Sequence, residues 1–237
     1  MCTVSFYRDD NQTIITSNRD EHKDRPLALL PRKVVTGESI TYYPIDQQSN
    51  GTWFAVKNNG NVLVLLNGAE RKHIPNPPYR ESRGLVLLDL VNSGNLLQKW
   101  NVINLLNIEP FTVIAFVDDQ LFQIRWNEVE KKTIKLDTNR SYIWSSATLY
   151  SDDIISKREG WFSEFLNQKK GDICADDLIS FHTHTQKNDI QNGLVMNRNH
   201  SMLTKNITQC AITKNNFTLT HFDLICREKS IITDILT

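Results

Sequence analysis

The sequence has no apolar run near the ~18 residues that a membrane-spanning helix requires, so no integral membrane segment is expected. It has no excess of charge of either sign: 27 lysines and arginines stand against 27 aspartates and glutamates. Without a basic surplus there is no electrostatic footprint for nucleic acid or for an anionic membrane surface, and neither partner is expected. Cysteine is scarce, four residues with no Cys-x-x-Cys pair, which removes the usual thiolate zinc site. Glycine is scarce as well, and no cluster of it forms a phosphate-cradling loop. Residues 4–16 carry Arg8, Asp9, Asp10 and Asn11 where a secretory signal would need an apolar core. The expectation is a cytoplasmic chain whose Cys2, Cys174, Cys210 and Cys226 stay reduced. With no linker, repeat or low-complexity stretch, residues 1–237 read as a single domain that can bury a full core without staples.

What the chain does contain is strand and turn chemistry in blocks. Residues 4–7 and 13–16 read as paired strands about Asp9-Asp10-Asn11-Gln12. Residues 52–56 and 61–67 form a second pair about an Asn-Gly turn. Leu and Val recur at helical spacing from Ser82 and again through NLLQKWNVINLL. A hairpin about Asp118-Asp119 follows, then a strand over 131–137, a helix capped near Ser151 and running to about 167, and a short helix over 176–181. Residues 207–213 and 217–226 read as strands, and Cys210 and Cys226 within them as buried, inert thiols. About ten strands and four helices in separate blocks favour antiparallel sheets covered by helices. His182-Thr183-His184 reads as two imidazoles on one strand face. They have no acidic or thiol companion, so no metal and no cofactor are expected.

The first hairpin carries the chemistry. If residues 4–7 pair with 13–16, facing residue numbers sum to roughly 20 or 21, and Cys2 lies opposite Asn18 or Arg19. A cysteine directly behind the initiator methionine has, once that methionine is removed, a thiol and a free α-amine on one residue. Arg19 would lower the thiol pKa, the amine could act as base, and Asp20 could hold the amine or orient Arg19. Cys174, just before a short helix, is the rival reactive thiol.

The start MCTVSF, the block SNRDE (17–21) with the following RP (25–26), and GTWFAV (51–56) with GNVLVLLN (60–67) closely resemble the NRDE family, also called the transport and Golgi organisation protein 2 family. The chain is also similar to the bile-salt hydrolase and penicillin V acylase group, which likewise begin MCT. The resemblance implies an α+β, N-terminal-nucleophile hydrolase-like fold: a four-layer αββα sandwich of two antiparallel sheets between helices. It implies Cys2 as nucleophile, Arg19 and Asp20 as its organisers, and Asn67 as a donor to an oxyanion. Asn67-Gly68 is equally good turn chemistry. The chain departs from the hydrolase pattern at two places. Ser145-Ser146 stands where an Asn is expected, and Thr204-Lys205-Asn206 occupies the region of an expected Arg. Ser146 and Lys205, with Asn18, are the expected substrate-binding positions. The implied activity is cysteine amidohydrolysis of a non-peptide amide or acyl bond in a small-molecule substrate. The alternative is a non-catalytic carrier or trafficking protein that binds a lipid-like or haem-like hydrophobic cargo on the same fold.

Overall fold

The computed structural model describes residues 2–37 and 39–237, Cys2 through its backbone. Fourteen strands and four helices occur among the described residues. The chain opens with β1 (Cys2–Arg8), β2 (Gln12–His22), β3 (Ala28–Thr36), β4 (Ser39–Asp46), β5 (Phe54–Lys57) and β6 (Val62–Asn67). Helices α1 (Arg83–Val91) and α2 (Leu96–Val102) follow, then β7 (Phe111–Val117), β8 (Gln120–Trp126), β9 (Lys131–Leu136) and β10 (Tyr142–Ser145). Helices α3 (Asp152–Lys169) and α4 (Ala175–His184) precede β11 (Asn197–Arg198), β12 (Met202–Thr213), β13 (Asn216–Asp223) and β14 (Glu228–Ile235).

The strands form two antiparallel sheets. One has the order β10-β1-β2-β12-β13-β14, with β11 added beside β12; the other is a meander, β3 through β9 in sequence. Helix α1 packs on β5 and β6, α3 on β10, and α4 on β2 and β12. The layers therefore run helix, sheet, sheet, helix, the expected four-layer αββα sandwich. The pleat explains the order: successive side chains on a strand face opposite sides. On β1 and β2, Val4, Phe6 and Ile15 enter the core between the sheets, while Tyr7 and Ile14 pack with Phe162, Leu178 and Phe181 of α3 and α4. Among the described residues no helix is long and apolar enough to cross a membrane.

Turn chemistry closes the hairpins as the sequence predicts. The Asp9 carboxylate accepts from the Asn11 and Gln12 backbone N–H groups. Asp118 and Asp119 both adopt positive φ, the geometry of the tight hairpin turns whose twist matches the strands. Four expectations need correction. Strands β3, β4, β10, β11 and β14 are missing from the sequence reading: β3 and β14 are largely exposed edges without an alternating apolar pattern, and β10 and β11 are only four and two residues long. Strand β13 stops at Asp223, whose carboxylate accepts from Ile225 and Cys226 N–H in a turn; Cys226 is consequently exposed, not buried. The second helical pattern yields only α2, ended where Ile103 turns extended. His182 and His184 sit on helix α4, where two residues apart means opposing faces: His182 is buried and His184 is not.

Helix α1 starts at the Ser82 hydroxyl, which accepts from Leu85 N–H. Its first turn lies hard against the 51–52 segment. A Cβ on Gly84 would come 2.8 Å from the Thr52 carbonyl oxygen, and one on Gly51 would come 2.5 Å from the Gly84 carbonyl carbon. Gly84→Ala should gain the ~1 kcal/mol of helix propensity and lose more to overpacking, about 1–3 kcal/mol. A lowered urea midpoint is the expected result, the reverse of an ordinary helical Gly→Ala.

Candidate active site

The first hairpin pairs Cys2 with Arg19 and Thr3 with Asn18, one of the two registers that the pairing arithmetic allows. Strand β12 then places Asn206 opposite Arg19, after a bulge at Lys205. Cys2, Arg19 and Asn206 thus form one row across three strands. The Cys2 thiol and Met1 lie outside the described residues.

Arg19 lies between the sheets. Its Nη2 donates to Asp46, at the end of β4 in the opposite sheet, and more weakly to Glu21 at 3.4 Å. Its guanidinium carbon sits 4.5 Å from the centre of the Trp53 ring, a cation–π contact in a desolvated setting. Asp46 also accepts two bonds from Arg25, at 3.0 and 2.9 Å, and bonds from the Ser49 N–H and hydroxyl. Burial raises the Asp46 pKa, but the Arg25 bonds and the charges of Arg19 and Arg25 outweigh it and pull it down to about 2. Arg19, Glu21, Arg25, Asp46, Trp53 and Asn67 line one cleft of about 140 Å³, closed on one side by Ser82, Arg83 and Gly84 at the start of α1.

Each expected site residue can now be placed. Arg19 and Asn67 share the cleft. Asp20 does not orient Arg19, because the next residue on a strand faces the other side. It is fully buried on the helical side of its sheet, accepting from Tyr150 and Thr204 hydroxyls, both at 2.6 Å. Burial raises its pKa against the opposing pull of the Arg158 charge and these donors. Asn18 is on that side too. Its amide donates to the carbonyls of His182 and Leu194 and its Oδ1 meets His182 Nδ1, so it holds α4 and does not enter the cleft. Lys205 is buried at the bulge, its ammonium donating to the carbonyls of Lys23 and Arg25. It fixes the loop that presents Arg25 and does not line the cleft. Ser146 is buried, and its hydroxyl donates to the Asn67 carbonyl at 2.7 Å, so it acts on the backbone of Asn67 and does not face the Arg19 cleft.

Sequence reasoning missed Asp46, Arg25 and the cleft role of Trp53. Asp46 ends a strand that carried no readable signal, and Trp53 reads as ordinary core. Among the described residues no cluster of His, Cys, Asp and Glu can hold a metal.

Residues 1–226 match the model of the family described as Transport and Golgi organisation 2. The chain belongs to that family. No curated protein matches it. Among solved structures, it is similar to the Caenorhabditis elegans ortholog of N-acylethanolamine-hydrolyzing acid amidase, with a TM-score of 0.61 at 10% identity over 88% of this chain and 92% of that one. A mutant of the conjugated bile acid hydrolase from Clostridium perfringens gives a TM-score of 0.54 at 10% identity, covering 99% of this chain and 96% of its own. At such identity the likeness shows the fold alone. The family member described here keeps that sandwich and builds its cleft where the two sheets meet at Arg19.

The Asp46 pKa lies below the ordinary aspartate value of ~3.9. Its stabilisation is therefore complete above about pH 4 and is lost as pH falls toward about 2. Denaturant midpoints measured down this range should fall in the wild type. In Asp46→Asn that component should be absent, and at neutral pH the variant should be less stable by about 3–5 kcal/mol, because Arg19 is left buried without its carboxylate.

Proposed function

We propose that this chain is an N-terminal cysteine amidohydrolase acting on a small non-peptide amide or acyl substrate, with Cys2 as nucleophile. The observation that carries the reading is the direct pairing of Cys2 with Arg19, while Arg19 shares its cleft with Asn67. Family membership and the hydrolase titles of the structural neighbours support it.

The chemistry requires removal of Met1. The α-amine of Cys2 then takes the thiol proton. Sγ attacks the carbonyl carbon, a C–S bond forms, and the carbonyl electron pair moves to oxygen. The Asn67 side-chain amide donates to that oxyanion. Collapse breaks the C–N bond, and the departing amine takes the proton held by the α-ammonium. Water hydrolyses the thioester to the acid and restores the thiol. Arg19 supplies positive charge that favours the thiolate, and Asp46 and Trp53 hold Arg19 in place. A cleft of about 140 Å³ suits a small polar group. It falls below the ~300–1,000 Å³ of sites that enclose drug-sized ligands, and so is too small to seat a lipid-like or haem-like cargo.

Limited alkylation near neutral pH, followed by peptide mapping, tests the nucleophile. Cys2 should label first, ahead of the exposed Cys174 and Cys226, and the buried Cys210 last. Burial alone raises the Cys210 thiol pKa far above its ordinary value. Against a panel of N-acyl amides, Cys2→Ala should abolish hydrolysis. Asn67→Ala should lower kcat by about 10²–10³. Labelling of Cys2 no faster than Cys174 would overturn the reading.

A further inference from the structure

The face that the β1–β2–β12–β13 sheet turns toward its partner sheet changes character along its length. One row across it reads Phe6, Ile15, Cys210 and Leu219, all apolar and buried. The next row toward the cleft reads Val4, Ser17, Thr208 and His221, and the one after it Cys2, Arg19, Asn206 and Asp223. Polar side chains therefore occupy two successive rows of an inter-sheet core.

Their hydrogen bonding is incomplete. Ser17 Oγ, Arg19 Nη1, Asn206 Nδ2, Asn206 Oδ1 and His221 Nε2 are buried with no partner among the described residues, as is Nε1 of Trp53 from the facing sheet. Trp53 joins the group physically: its ring packs on Arg19 and lies 6.2 Å from the His221 ring. All five residues are at most 4% exposed. A buried polar atom left without a partner costs about 1–3 kcal/mol, and natural proteins carry few such atoms. Five in two adjacent rows, with a sixth facing them from the other sheet, mark a site beside the Cys2 strand that is completed by something bound.

We propose that Asn206, Trp53, Ser17 and His221, with the free edge of Arg19, form a subsite for an uncharged carboxamide group of the substrate. The inference rests on the Cys2 reading and names the polar group that the substrate presents there. The atom types decide the ligand class. Arg19 Nη1, Trp53 Nε1 and Asn206 Nδ2 are donors; Asn206 Oδ1 is an acceptor. His221 shares its Nδ1 with the Thr208 hydroxyl at 2.9 Å. Burial, with the Arg19 charge and against the pull of Asp223, lowers the ring's pKa to about 4, so the imidazole is neutral at pH 7. A group with both a carbonyl and an N–H matches this mixture. A further anion is not called for, because Arg19 already serves Asp46, Glu21 and, in the proposed mechanism, the Cys2 thiolate.

The test compares iodoacetamide, which carries a carboxamide, with iodomethane, which does not, as alkylating agents for Cys2. In each the thiolate displaces iodide from carbon. In Asn206→Leu the iodoacetamide rate should fall about tenfold, the equivalent of one lost hydrogen bond, while the iodomethane rate stays unchanged. Trp53→Phe, which removes the indole N–H donor and leaves a smaller ring against Arg19, should slow iodoacetamide more than iodomethane. The Tm of Asn206→Leu should rise by about 2–4 °C, since an unpaired buried amide is replaced by an apolar side chain of similar volume. Equal loss with both reagents, no loss with either, or a lowered Tm would overturn the subsite. Cys2 inert to both reagents in the wild type would overturn the nucleophile reading instead. The subsite is then read without Cys2, by NMR saturation transfer to acetamide. Transfer present in the wild type and lost in Asn206→Leu supports it; absence of transfer in the wild type overturns it.

Discussion

The contact between Arg19 and Asp46 joins the two sheets. Arg19 belongs to the central strand of one and Asp46 to the second strand of the other. Bringing these charges out of water is costly unless the geometry and the remaining hydrogen bonds are good. Asp46 meets that condition with Arg25, two backbone N–H groups and the Ser49 hydroxyl. Arg19 meets it on one edge only, with the Trp53 ring against its face and Nη1 without a partner among the described residues. The structure thus immobilises a cation beside the N-terminal strand while keeping one edge of it available.

The supporting contacts lie on both sides of this pair. Lys205, displaced by the β12 bulge, holds the carbonyls of Lys23 and Arg25 and so fixes the loop that delivers Arg25 to Asp46. Ser146 holds the carbonyl of Asn67 at the other end of the cleft. On the helical face of the same sheet, Asp20 is engaged by Tyr150 and Thr204, and Asn18 and Ser5 by His182. Arg158, fully buried, donates to Thr3 and stacks 3.7 Å from the Tyr150 ring. The period of two along β2 separates these tasks. Ser17 and Arg19 turn to the inter-sheet space, while Asn18 and Asp20 anchor the helical layer. Adjacent letters of one motif do different physical work.

That division explains what could be read in the sequence. The hairpins were legible because their turns are local: Asp9 to Gln12, Asn59-Gly60 and Asp118-Asp119 carry their geometry in a few residues. Counting along one such hairpin narrows the partner of Cys2 to Asn18 or Arg19, and the structure selects Arg19. Asp46 was not legible, since its partners stand 27 and 21 residues away and its strand ends in an unremarkable Tyr-Tyr-Pro-Ile-Asp. Sequence adjacency reads Asp20 as holding the Cys2 amine or orienting Arg19, but the pleat turns Asp20 and Arg19 to opposite faces. Cys226 reads as buried because the apolar pattern of 217–226 runs past the point where Asp223 turns the chain. Asn206 was overlooked beside Lys205 because a bulge moves the register by a residue, and no local pattern announces a bulge.

The account rests on Cys2 becoming the first residue of the chain, with its α-amine free to take the thiol proton. The intact mass of the native protein tests this directly. A mass lower than that of the full 237-residue sequence by one methionine residue, with no added acetyl group, is the predicted result. A retained Met1 or a blocked Cys2 amine would contradict the mechanism, whatever the geometry of Arg19, Asp46 and Asn206.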